Sequence, residues 1–303
     1  MVGQPTFSGH LGDPTALPSP TEAVTKAASR KNPSGANIDM PVFLLELREL
    51  PGMLKHAFEK TTEATARANK RQLRKDPHDT DNSVLATNFG WLTLYQDVAS
   101  LFNFSKHVDD RMKVLKVLAK KGWSSTGRVR TGGYHQQAVS EETVFHSIEA
   151  YVTGHYKTDT VCRRWGSARF YVDNPPDFVS DASAQRQLAK EVVHGWHISP
   201  ATVWQALPWT WLSDYFVNVG DFLDATRNTI GASVGTGCCM TETTTVIQQV
   251  ITSQPYSFEV QPGRLTVQTK ERVLANVGLS TNTNALSPSR LVNLLGLVSQ
   301  YKG

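Results

Sequence analysis

The densest apolar stretch of the chain runs from Trp204 to Asp224, WQALPWTWLSDYFVNVGDFLD. Trp204, Leu207, Trp211, Tyr215, Val219 and Phe222 step by three and four residues, the spacing of one helix face. Leu212, Phe216 and Leu223 widen that face until little of the helix is left for water. Burying aromatic side chains of this size contributes roughly 2–3 kcal/mol each. The pattern predicts one long helix, reaching toward Ile230, around which the fold is organised.

Three further helices are expected within the first 122 residues. From Pro41, behind an N-cap at Asp39, the positions Phe43, Leu47, Leu50, Leu54 and Ala57 repeat at helical spacing. Pro51 kinks this helix, and the segment turns basic before Asp76-Pro77 stops it. A second helix covers 88–104, where Leu92, Tyr95, Ala99 and Phe102 line one face and Trp91, Leu94, Val98 and Leu101 a neighbouring one. A third spans 107–121 and ends at Gly122.

The period then changes. From Trp123 to Val172 the chain is rich in Thr, Val, Tyr, Arg and Gly with alternating runs, such as Val161, Arg163 and Trp165. Residues 152–156 and 168–172 read as strands, and Asn174-Pro175-Pro176 closes the section. A short helix is expected over 183–193, and the glycine-rich 231–237 (GASVGTG) reads as a linker. Strands return over 243–251. Two more, 256–260 and 265–269, flank Pro262-Gly263 as a hairpin. A final helix over 287–300 opens at Ser287-Pro288 and carries Leu291, Leu294, Leu295 and Val298.

This order predicts an α+β fold: a helical bundle region plus an antiparallel β-sheet region, each built from separated segments. Residues 1–37, with Pro14, Pro18, Pro20 and Pro33 among small polar residues, read as a flexible N-terminal arm. The helical region takes 38–122, 183–232 and a closing helix within 284–303. The β-region takes 123–180 and 240–275.

Composition narrows the class without naming it. Hydrophobic residues make up 40% and charged residues 19%, ordinary values for a globular protein. A net charge of +4 does not by itself announce a nucleic-acid binder, so the placement of charge carries the information. Cys162, Cys238 and Cys239 cannot form a disulfide framework, and reduced, inert thiols are expected. The first twenty residues lack a signal segment, and no apolar run reaches the roughly eighteen residues a membrane span needs.

Two helical runs of cations are the main functional lead. Lys60, Arg67, Arg71 and Arg74 fall close to one face, with Lys70 and Lys75 at its margin. Lys113, Lys116 and Lys120 repeat the spacing on the next basic helix, with Arg111 and Lys121 beside them. Such faces suit phosphate contacts, which give affinity with little sequence choice; a solvated helix face is the plainer reading of either run. Arg128, Arg130, Arg163, Arg164 and Arg169 lie in the strand region among Tyr134, Tyr151, Tyr156, Trp165 and Tyr171. Those aromatics could stack on unpaired bases, or serve as ordinary strand residues.

Signs of catalysis are sparse. His194 and His197 form an H-x-x-H pair with no completing ligand nearby, so neither a metal nor a cofactor is expected. His135, His146 and His155 have no accompanying nucleophile motif. The GASVGTG segment lacks the lysine of a phosphate loop. Asp97 and Asp214 sit in apolar helices, where an unpaired carboxylate is costly. Each is expected to accept hydrogen bonds from a tryptophan N–H, a backbone cap or an arginine. No catalytic residue is assigned, and the chain is not expected to be an enzyme.

The segment HISPATVWQALPWTWLSDYFVNVGDFLD resembles the signature of the maturation proteins (A proteins) of single-stranded RNA bacteriophages, the leviviruses. The matching residues are Pro200, Trp204, Pro208, Trp209, Trp211, Asp214, Tyr215 and Phe216; Tyr215 and Thr210 replace the commoner Trp and Ser. RKNPSGANIDMPVFLLELRELPGML, NFGWLTLYQDVASL and SPSRLVNLLGLVSQ are similar to the family in order and spacing, so the likeness runs from Ala28 to the end. Trp204, Pro208, Trp209, Trp211, Asp214 and Phe216 are expected to form structural core.

The resemblance implies a minor virion component that replaces a coat-protein dimer in the capsid. It implies binding to the viral genomic single-stranded RNA, attachment of the particle to a bacterial pilus, and entry with the RNA. Assembly in the bacterial cytoplasm and an elongated fold are implied as well. Family members carry a β-rich section ahead of the Asn-Pro-Ser segment, where this chain has only Met1 to Lys31. That difference implies a compact variant or a longer natural N-terminus. An RNA-processing enzyme using Asp97, Asp214 or the histidines is one alternative, and an inhibitor of host cell-wall synthesis that causes lysis is another.

Overall fold

A computed structural model describes residues 5–12, 17–37, 39–42, 103–147, 150–174, 181–207, 210–254 and 261–281. The expected helices over 41–75, 88–104 and 287–300 lie outside the described residues, apart from their extreme ends. Within the described residues the fold is α+β, as the change of period predicts.

The larger sheet is antiparallel and built on two long strands. Strand β4 (Ala150–Ser167) pairs along one edge with β2 (Val129–Val139) and β3 (Thr143–Ser147). Along its other edge it pairs with β7 (Gly237–Ser253), which pairs in turn with β8 (Arg264–Ala275). Thr160 lies opposite Thr245, and their hydroxyls meet at 2.7 Å. Residues 5–12 run over this same face, where the His10 ring bonds Thr245 and Thr269 and the Leu11 N–H donates to Thr160.

Of the hairpin expected at Pro262-Gly263, the arm over 265–269 lies within β8. Arg264 pairs with Gln248, and the Gly263 carbonyl accepts from the Gln249 N–H, so Gly263 extends the pairing of β8 with β7 by one residue. The expected strand over 256–260 lies outside the described residues.

Helix α1 (Pro20–Lys31) overturns the expectation of a flexible arm. Ser19 caps it by accepting from the Glu22 N–H, and Pro20 fills the first helical position. Ala23, Val24, Ala27 and Ala28 are fully buried, and the helix packs on the large sheet and on the segment over 219–226. The strands meet these residues with glycines. A Cβ on Gly166 would lie 2.1 Å from the Ala23 carbonyl oxygen, and one on Gly237 would lie 2.4 Å from Val24. Small residues on both sides let the helix sit almost on the sheet backbone.

A three-stranded sheet holds β1 (Trp123–Ser125), β5 (Arg169–Val172) and β6 (Ala232–Val234) in the order β1-β5-β6. Strand β6 lies inside the expected glycine linker, because Ser233 pairs with Tyr171. Its buried side, Phe170, Val172 and Ala232, is shared between two apolar clusters. One joins α2 (Phe104–Lys121) to α3 (Ala182–His194) through Val108, Leu115, Leu118, Ala189, Val192 and Val193. The other joins α1 to Phe170, Ala225 and Cys239.

The tryptophan-rich segment forms three short helices where periodicity predicts one: α4 (Pro200–Ala206), α5 (Thr210–Phe216) and α6 (Val219–Thr226). Leu207, the residue before Pro208, is extended, because proline disfavours the helical conformation in its predecessor. The second break is at Val217-Asn218. There the Asn218 side chain accepts from the Ser280 N–H and donates to the Gly278 carbonyl, tying the chain to its later segment.

Candidate nucleic-acid interface

Helix α2 is amphipathic in both packing and charge. Phe104, Val108, Leu115 and Leu118 turn toward α3, while Lys106, Lys113, Lys116, Lys120 and Lys121 are exposed. Lys106, Lys113 and Lys120 recur every seven residues and so form one stripe along the solvent face. Lys106 belongs to this stripe although the three-and-four spacing of the later lysines does not pick it out. The helix ends at Gly122, which adopts a left-handed conformation and donates its N–H to the Leu118 carbonyl. Lys120 and Lys121 sit in the last turn, where the helix dipole favours cations.

The stripe carries some neutralising charge. Lys113 pairs with Asp110 at 2.7 Å in the open, which holds the Asp110 carboxyl below the usual carboxylate range. Pairs this exposed add little stability. Lys116 and Lys120 make no ion pair among the described residues.

Arg111 departs from the expected surface role. Its guanidinium is buried and donates to the carbonyls of Asn32, Pro33 and Gly35 and to Asn37 Oδ1. Burial and the neighbouring Arg227 push its pKa down to about 10. Arg111 is a clamp on the loop after α1. Lys60, Arg67, Lys70, Arg71, Arg74 and Lys75 lie outside the described residues.

The loop that Arg111 grips is the Asn-Pro-Ser-Gly segment, and its other bonds are structural too. Asn32 Nδ2 donates to the carbonyls of Asp224, Ala225 and Arg227, closing the C-terminal end of α6. Ser34 Oγ accepts from the Thr229 N–H. Arg227 is itself buried, bonding Asp39 at 3.2 Å as well as Thr202 and the His197 carbonyl. Nearby Asp224 has its pKa raised to about 6, first by burial, with Arg227 opposing the shift.

Among the expected core residues, Trp204 donates its indole N–H to Asp214 Oδ2 at 3.3 Å, and the Gly220 N–H donates to Asp214 Oδ1 at 2.8 Å. Asp214 therefore holds α4, α5 and α6 together through a tryptophan N–H and a backbone cap, as its apolar setting predicts. Phe216, by contrast, is 48% exposed and is not core in the described residues. The helix break redirects it, because the face predicted for a continuous helix does not persist past Leu207. Pro208, Trp209 and the side chain of Trp211 lie outside the described residues, as does Asp97.

The remaining candidates separate by face. Arg164 bonds Thr241 and the Pro18 carbonyl, so it anchors the segment leading into α1. Tyr134 lies against Gly12 on that same covered face. Arg163 is exposed on the opposite face, near Asp159 and Glu242. Arg128 lies 5.8 Å from the centre of the Trp165 ring, and Arg130 is exposed. His194 stacks on Phe104 with ring centres 4.2 Å apart, and His197 offers its backbone to Arg227. Among the described residues, no group of three His, Cys, Asp or Glu side chains could hold a metal ion. No described helix is long and apolar enough to cross a membrane.

The family model for the phage maturation protein matches residues 52–273. That span includes α2, the three short helices of the tryptophan-rich segment and both sheets but for the last two residues of β8. No curated protein matches the chain.

Proposed function

The chain belongs to the phage maturation protein family, whose members are structural virion components, and on that premise we propose that it binds the viral genomic RNA through the lysine face of α2. The observation that carries this reading is the division of α2 into one buried apolar stripe and one lysine stripe open to solvent. A flexible ammonium at each lysine can follow irregular phosphate spacing, giving affinity through counterion release without selecting bases. The cations at 60–75 belong to the same reading on sequence spacing. On the same premise we propose that it occupies a coat-dimer position, attaches the particle to a host pilus and is assembled into particles in the bacterial cytoplasm.

Asp214 is spent on holding Trp204 and Gly220, and this favours a packing role over a catalytic one. The direct test is photocrosslinking of RNA to protein in intact particles, followed by peptide mapping. Crosslinks should concentrate in peptides from 104–121 and 60–75. Crosslinks that avoid both segments would remove the assignment.

A further inference from the structure

The three-stranded sheet has an outer face that neither apolar cluster uses. Trp123 pairs with Tyr171, and Ser125 pairs with Arg169, so Trp123, Arg169 and Tyr171 project from the same side. Phe170 and Val172, at alternate positions, point to the other side and are buried. The Arg169 guanidinium lies 5.0 Å from the Trp123 ring centre, and the Lys121 ammonium lies 5.5 Å from it. Tyr171 is 44% exposed. Its ring lies over Gly235, where a Cβ would come within 2.6 Å of it, so the strand leaves room for the ring to lie low.

This cluster begins where the lysine stripe of α2 ends, since only Gly122 separates Lys121 from Trp123. An exposed tyrosine beside a guanidinium laid over a tryptophan ring, next in sequence to a row of lysines, matches what an unpaired nucleotide offers, a flat base and a charged phosphate, because bases stack on guanidinium planes as well as on aromatic rings. We propose that Trp123, Arg169 and Tyr171 form a platform on which unpaired RNA bases stack, with Lys116, Lys120 and Lys121 holding the flanking phosphates. The platform would give the protein a preference for unpaired over paired RNA, which the lysines alone cannot supply. It rests on the RNA-binding reading above.

The test uses the full chain with two labelled RNAs, an unstructured single strand of about twelve nucleotides and a blunt duplex of equal length. Tyr171→Ala should weaken single-strand binding about tenfold while leaving duplex binding nearly unchanged. Tyr171→Phe keeps the ring and should bind as the wild type does, which controls for folding. Equal loss on both RNAs, or no loss on either, overturns the platform. If Lys113, Lys116 and Lys120 changed to Gln weaken both RNAs while Tyr171→Ala changes nothing, the platform falls and RNA binding stands. If the wild-type chain binds neither RNA, both readings fall. Unchanged RNA binding with lost incorporation into coat-protein particles would make this face a protein contact and overturn the proposal.

Discussion

Helix α1 is seated on glycines of the large sheet, with alanines against backbone and hardly a side chain between. Helix α2 rests on a single stripe of larger apolar residues and leaves its lysines in water. In the first region, contact distance is set by the absence of side chains, so any added atom meets main chain. In the second, the outward positions touch nothing that folding requires. Framework and proposed RNA-binding surface are thus distinguished by what a substitution would collide with or leave unpaired.

The largest effect is expected at the seat of α1. Gly166→Val places atoms against the Ala23 carbonyl, which a helix cannot move without losing its packing. A loss of about 3 kcal/mol or more is expected, at the upper end of overpacking costs, read as a lower Tm. An unchanged melt would show that α1 is not held there.

Next comes a contrast within α2 itself. Arg111→Met strands acceptors in the loop at 32–37 and should cost about 2–4 kcal/mol. Lys116→Met, on the opposite side, should stay within about 0.5 kcal/mol in stability yet reduce RNA affinity. A stable Arg111→Met protein with weakened RNA binding would move Arg111 to the proposed RNA-binding surface and blur the division.

Asp224 sharpens the framework side through pH. Its folded pKa of about 6 lies above the ordinary 3.8, so its neutral form favours the fold below pH 3.8. That contribution is lost as pH rises through 6. Asp224→Asn should therefore raise stability at pH 7, by about 1–2 kcal/mol after allowance for solvent screening. Below pH 3.8 the gain should vanish, as thermal melts at the two pH values would show. A gain that is the same at both would mean that burial does not govern this carboxyl.

Much of this arrangement is legible in the order of residues, and what is hidden there has physical causes. Helix α2 is visible because its large apolar residues repeat and a glycine ends it. Helix α1 is hidden because its buried positions are mostly alanines, small residues that beside Pro14, Pro18 and Pro33 read as part of a polar arm, although Ser19-Pro20 followed by Glu22 is a start signal. The three short helices merge into one because their periodicity continues across Pro208 and Asn218; the first break is legible in Pro208 itself, while the bonds that fix the second come from Gly278 and Ser280, far along the chain. Charge alone groups Arg111 with the lysines. Its place, three residues after Val108 and four before Leu115, puts it on the buried stripe. The platform at Trp123 and Tyr171 depends on a strand pairing that residue spacing does not reveal.

The smallest effect belongs to the exposed pair on α2. Asp110→Asn removes the partner of Lys113 and should leave the melt unchanged, because both groups are in solvent. RNA affinity should rise slightly as Lys113 is released. A fall would mean that the pair positions Lys113 for its contact.

The claim that the lysine face of α2 meets phosphate is tested most directly by the salt dependence of RNA binding. Affinity of the full chain for single-stranded genomic RNA would be measured across ionic strength, for wild type and for a variant with Lys113, Lys116 and Lys120 changed to Gln. The log–log slope should become shallower by about 2 in the variant, the loss of three single-strand phosphate contacts. Parallel lines for the two proteins would contradict the account.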